Sequence, residues 1–166
     1  MLKNKVYNRN MAVDYALTYA LTKNPKYYDY TTSGGNCTNF VSQCIYAGAP
    51  QMNFTSDGWF YISPVNTSPS WANVEPLFNF LTNNKGVGPF ASKSPLEICE
   101  VGDIIQLKFY GASVFGHSLV ITQIEDRTPT GIFICANTND VKNKRMSDYQ
   151  YVDFRLLHIL GYRIKE

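Results

Sequence analysis

A cysteine attacks a carbonyl carbon as its thiolate, and it needs a base nearby that takes the proton and returns it to the leaving group. One cysteine of this chain stands in the right kind of context: Cys37, in Ser33-Gly34-Gly35-Asn36-Cys37-Thr38-Asn39-Phe40-Val41-Ser42-Gln43. Two glycines precede it, and apolar Phe40, Val41, Cys44, Ile45 and Ala47 follow at spacings of three to four. That pattern predicts a loop feeding a helix whose first turn carries the thiol. Unpaired N–H groups and partial positive charge at a helix start favour the thiolate. The chain holds 2 histidines, which narrows the choice of base. His117 follows Gly116 at the start of the strand-like run Phe115 to Thr122, and neutral imidazole suits the proton transfer. His158, between Leu157 and Ile159, reads as structural. A polar group must hold the imidazole. Ala136-Asn137-Thr138-Asn139-Asp140 ends the next strand and offers Asn137 or Asn139; strand alternation places both on one face and leaves the two open.

The other titratable residues read more plainly. Cys44, Cys99 and Cys135 are expected as small core residues with free thiols. Cys37 and Cys44, two helical turns apart, would lie about 10 Å apart along the axis, too far for a disulfide. Without a CxxC pair or HExxH, neither zinc nor any other metal or cofactor is expected. Asp103 after Gly102 reads as a turn residue.

The elements that must position these groups change character along the chain. Val13, Ala16, Leu17, Ala20 and Leu21 form a helical stripe over 10–23, stopped at Asn24-Pro25. The Cys37 helix runs to Gly48-Ala49-Pro50. Residues 51–70, with Trp59, Phe60 and Tyr61, read as a long irregular loop. A further helix is expected over 73–81, with Pro76 in its first turn. Beyond it the period becomes that of strands: 104–109, 117–124, 132–137, 149–154 and 159–164. Helices first and a meander after predict an α+β domain with an antiparallel sheet of about five strands, a single catalytic domain over 1–166. A net charge of +2 argues against a nucleic-acid binder, no run is long enough to span a membrane, and Met1-Leu2-Lys3 leads into a helical pattern without a signal-peptide apolar region.

Tyr7-Asn8-Arg9 with Ala12-Val13 and Tyr15-Ala16, Asn24-Pro25, Cys37-Thr38-Asn39-Phe40-Val41-Ser42-Gln43 with Tyr46-Ala47-Gly48, Trp71, Gly102-Asp103-Ile104-Ile105, Gly116-His117-Ser118 and Thr138-Asn139-Asp140 together resemble the putative amidase domain family. The chain is also similar to the broader papain-like group of bacterial cell-wall hydrolases that includes NlpC-type and CHAP domains. The resemblance implies a papain-like fold with Cys37 as nucleophile, His117 as base and an Asn within 137–139 as third member. Two positions depart from the family pattern: Asn36 stands where members usually place Asp, and Asn137 where they often carry His.

That resemblance implies a thiol-dependent hydrolase of peptidoglycan amides, most simply at the bond between N-acetylmuramic acid and L-alanine, working as a monomer at the bacterial cell wall after secretion or release. A stem-peptide endopeptidase would use the same machinery. Cys37 N–H with Tyr30 or Asn36 would hold the oxyanion, and Trp59 and Trp71 would touch substrate. A different class is an inactive wall-binding module gripping glycan through Trp59, Phe60, Tyr61 and Trp71; hydrolysis of a cytosolic amide is a third reading.

Overall fold

The computed structural model describes residues 1–166. Strand β1 (Leu2–Lys5) and helix α1 (Arg9–Tyr19) open the chain, followed by α2 (Cys37–Gly48). A small hairpin, β2 (Tyr61–Ser63) and β3 (Asn66–Thr67), precedes α3 (Pro69–Ala72) and α4 (Val74–Asn83). The remainder is β4 (Gly88–Ser94), β5 (Ile104–Phe109), β6 (His117–Ile124), β7 (Ile132–Ala136), β8 (Val141–Arg145) and β9 (Tyr151–Lys165). The class is α+β, as the change of period predicts, but the main sheet has 7 strands rather than about five.

That sheet is antiparallel in every pairing, in the order β1-β9-β5-β6-β7-β8 with β4 also on β9. The two expected segments 149–154 and 159–164 are one strand, β9, of 15 residues. One edge of β9 pairs β5 through Tyr151–Leu157 and then β1 through Tyr162–Lys165, while the other pairs β4. In this sheet β1, β4 and β8 went unforeseen. β1 and β8 lie at the margins with mostly exposed side chains, and Lys144 and Arg145 in β8 carry the charge typical of an edge. The 51–70 segment is more ordered than a loop, with the β2–β3 hairpin and a bridge between Asn53 and Trp59.

Both faces of the sheet are buried. Val120, Cys135, Ile104, Leu157 and Ile159 meet the helices, packing with Ala12, Ala16, Phe40, Val41, Ile45, Leu77 and the two tryptophans. Alternate positions, Leu119, Ile121, Ile134, Ala136, Ile105 and Leu107, face a second cluster with Leu96, Cys99 and Met146, which lie in or directly after the single-turn 3₁₀ helices Leu96–Ile98 and Met146–Asp148. Helix α1 packs through Ala12, Ala16 and Ala20, a row at i, i+4 and i+8, whereas Leu21 is exposed. Small side chains let α1 approach α2 closely. Gly48 serves the same end: a Cβ there would stand 2.5 Å from the Asn8 carbonyl oxygen and 2.6 Å from the Tyr7 ring.

Asp103 is not a plain turn residue but the centre of a buried ion pair. Arg9 Nη1 donates to Asp103 Oδ1 (2.7 Å), His158 Nδ1 lies 2.7 Å from Oδ2, and the Glu100 and Ile159 N–H groups complete the carboxylate. Arg9 also donates to the carbonyls of Val101 (3.0 Å) and Ile159 (2.6 Å), tying α1 to the turn before β5 and to β9. Arg9→Met leaves a fully buried carboxylate short of its partner, so a loss of about 3–5 kcal/mol in urea-unfolding free energy is expected.

Candidate active site

The loop before α2 uses its two glycines at φ +104° and +105°, which L side chains rarely adopt, to turn the chain into the helix. Helix α2 begins at Cys37, as the sequence predicts. Asn36 makes no side-chain cap, and the first intrahelical bond runs from Phe40 N to Asn36 O (3.0 Å). The N–H groups of Cys37, Thr38 and Asn39 therefore have no partner within the helix. Cys37 is half-buried while Cys44, Cys99 and Cys135 are buried, and all four thiols are free. Its Sγ lies 3.7 Å from Thr38 Oγ1.

Helix α2 packs on β6, and the contact falls beside both candidate residues: Thr38 Oγ1 lies 3.0 Å from Ser118 Oγ. Strand alternation puts Ser118 and Val120 under the helix and turns His117 toward the face of Leu119 and Ile121. The imidazole packs against Phe109 (centroids 6.0 Å) and Tyr149 (5.7 Å), and Lys144 Nζ lies 4.0 Å from the centre of the Tyr149 ring. Burial first, and the Lys144 charge second, pull the His117 pKa down to about 4, so the ring is neutral near pH 7. It makes no side-chain hydrogen bond within the chain and is 8% exposed. The phenol of Tyr149 is itself perturbed. Its pKa rises to about 12 through burial and then the charges of Cys37 and Cys135. Sequence reasoning missed Lys144 because edge strand β8 carries no periodic signal, and it read Tyr149 only as the start of a strand.

Neither Asn137 nor Asn139 makes a hydrogen bond to His117. Asn137 Oδ1 accepts from Asn36 Nδ2 (2.9 Å), and its Nδ2 donates to the Ala20 carbonyl (3.1 Å). Asn139 is exposed at φ 62°. Asn36 and Asn137 thus face each other in a neutral amide–amide hydrogen bond. Asn36 is the hub of this arrangement. Its Oδ1 accepts from Tyr30 N and Asn39 Nδ2, each at 2.9 Å, and its own N–H donates to Thr138 Oγ1 (2.7 Å). Asn137→Ala strands the buried Asn36 amide and is expected to cost about 1–3 kcal/mol in chemical denaturation.

Four expected substrate or oxyanion contacts need correction. The Asn36 amide is buried and spent on Asn137, and the Tyr30 hydroxyl donates to the Pro64 carbonyl (2.9 Å), so neither side chain is free to hold an oxyanion. Trp59 and Trp71 are fully buried and touch no surface ligand. Their indoles instead fasten α2: Trp59 Nε1 donates to Ser42 Oγ (3.0 Å), and Trp71 Nε1 to Asn39 Oδ1 (2.8 Å). Large apolar rings with one N–H are well suited to that, since the apolar body fills the core while the polar edge finds a partner.

No group of three or more His, Cys, Asp and Glu is placed to hold a metal ion, and no helix is long and apolar enough to cross a membrane. No solved structure matches the chain. The "Uncharacterized protein YhbB" of Bacillus subtilis (strain 168) is 33% identical over 119 residues, 69% of this chain and 37% of that relative, so the chain spans little more than a third of its length. The family model described as "Putative amidase domain" matches residues 6–159, and its full span takes in Cys37, His117 and the Asn36–Asn137 pair: the chain belongs to the putative amidase domain family.

Proposed function

We propose that this domain hydrolyses an amide bond of peptidoglycan by a cysteine mechanism of papain-like type, at the link between N-acetylmuramic acid and L-alanine. The observation that carries the reading is the half-exposed Cys37 in the uncapped first turn of α2, whose neighbour Thr38 meets Ser118 next to His117. Cys37 Sγ attacks the carbonyl carbon, and the tetrahedral oxyanion lies at the free N–H groups of the first turn. His117 takes the thiol proton and gives it to the leaving amine, which departs and leaves a thioester. Water then loses a proton to the same ring and attacks the thioester, releasing the acid and restoring the thiol. Asn137 is a positioning residue that acts through Asn36 on the loop that sets Cys37, not on the imidazole, while Asn139 stands exposed beyond it.

Burial of Trp59 and Trp71 weighs against the alternative of an inactive wall-binding module, because two of the four rings that would grip glycan are core and Phe60 and Tyr61 are partly buried. A stem-peptide endopeptidase shares every step above and differs only in the bond. Mass spectrometry of a digest of purified cell walls decides: stem peptides with a free L-alanine amine, separated from intact glycan, are expected. Cleavage only between stem-peptide residues would select the endopeptidase. Binding to walls as a monomer without product would end the hydrolase reading.

A further inference from the structure

A cavity of about 700 Å³ opens between the Asn53–Gly58 loop and the C-terminal half of α4 with the turn after it, a size in the usual range of small-molecule sites. Its lining holds one large apolar side chain, Phe80; the rest are chiefly amides and hydroxyls, with one carboxylate, Asp57, and one ammonium, Lys85.

The frame of this cavity is pinned. Asn53 Nδ2 donates to the Val87 carbonyl (3.0 Å) while its Oδ1 accepts from Thr55 N (3.0 Å) and Thr55 Oγ1 (2.6 Å). Asn84 Nδ2 donates to the carbonyls of Val87 (3.0 Å) and Pro89 (2.8 Å). A Cβ at Gly58 would fall 2.0 Å from the Asn53 carbonyl oxygen, so the loop closes on itself only with glycine there. On this rigid frame the side chains of Ser56, Asp57, Asn79 and Lys85 make no hydrogen bond or ion pair within the chain, and Ser56, Asp57, Asn79 and Lys85 are exposed.

We infer that the cavity is a binding subsite for a neutral saccharide, separate from the thiol. Mixed donors and acceptors on a pre-organised wall match the hydroxyls of pyranose rings, and the accessible Pro69 and Pro76 rings, over the edge of the buried Phe80, supply the small apolar surface a ring face needs. Asp57 offsets Lys85, which disfavours a phosphate or nucleotide, and the scarcity of apolar side chains disfavours an acyl chain. The wall residues Gly58 and Ser70 are each followed by an indole that fastens α2, so a sugar held here keeps a fixed relation to Cys37. The saccharide class rests on the lining; identifying it with the glycan strand of the wall rests on the proposed function.

The test is an amide ¹H–¹⁵N titration of the full chain with chitotetraose, alongside glycylglycine and inorganic phosphate. Chitotetraose is expected to shift the signals of Ser56, Asp57, Asn79 and Lys85, and Ser56→Ala with Asn79→Ala together to weaken it about tenfold. Both positions are exposed, so the variant keeps its fold, which its spectrum reports directly. An absence of shifts at millimolar chitotetraose, shifts confined to the surroundings of Cys37, or an equal response to glycylglycine or phosphate overturns the subsite. Cavity binding with wall hydrolysis that survives Cys37→Ala would sink the proposed mechanism and leave the subsite standing; loss of hydrolysis in Cys37→Ala without cavity shifts would do the reverse.

Discussion

Cys37→Ala is expected to lower the rate of wall-amide cleavage by at least about 10³-fold, because a group that forms the covalent intermediate has no substitute in the site. The change removes one half-exposed sulfur whose single polar neighbour is the Thr38 hydroxyl. The structural bonds around it, Asn36 to Asn137, Asn39 to Trp71 and Thr38 to Ser118, involve other side chains and are kept. Stability should therefore stay within about 0.5 kcal/mol of the parent, as for surface changes away from buried networks. The pair of measurements, release of free amines from walls and a urea melt, separates lost chemistry from lost fold. Retained cleavage in a folded Cys37→Ala protein would remove the nucleophile assignment.

His117→Ala should be about as damaging to turnover, and the pH dependence carries a second signature. Burial and then Lys144 hold the folded-state pKa near 4, against about 6.5 in an unfolded chain. Between those values the unfolded state binds the extra proton, so this contribution to stability is fully present above about pH 6.5. It falls as pH drops and is exhausted below about 4. The difference corresponds to about 3 kcal/mol, an order-of-magnitude figure for a group this buried. His117→Leu should flatten that part of the stability–pH curve. Lys144→Gln removes the like charge over Tyr149 and should move the acid limb of kcat/KM upward in pH. Coincident acid limbs in the parent and the Lys144 variant would show that the limb belongs to another group.

How much of this was legible in the sequence differs by element. Strands β5 and β6 emerged with their observed bounds because both faces are buried and the runs are nearly continuous, and α2 began at Cys37 because glycines and an apolar stripe mark its edge. β1, β4 and β8 did not, since their pairing is decided by β9 and β7, far away in the chain, rather than by their own pattern. The tryptophans show the same limit on the site. Composition says that Trp can line a sugar site or fill a core, and only the fold, with both indoles bonded to α2, decides for the core. Asn137 was legible as a polar residue at a strand end, but its partner was not: the Asn36 contact crosses from a loop before α2 to the end of β7.

The unequal burial of the four thiols makes the protein chemically single-handled. Cys44, Cys99 and Cys135 are buried and their pKa values are raised, each chiefly by desolvation, so they stay protonated and out of reach. An electrophile in solution meets one sulfur only. A maleimide or iodoacetamide tag therefore lands at the candidate nucleophile with one equivalent per chain, and the same addressability makes that position the one where an oxidant would first write its mark.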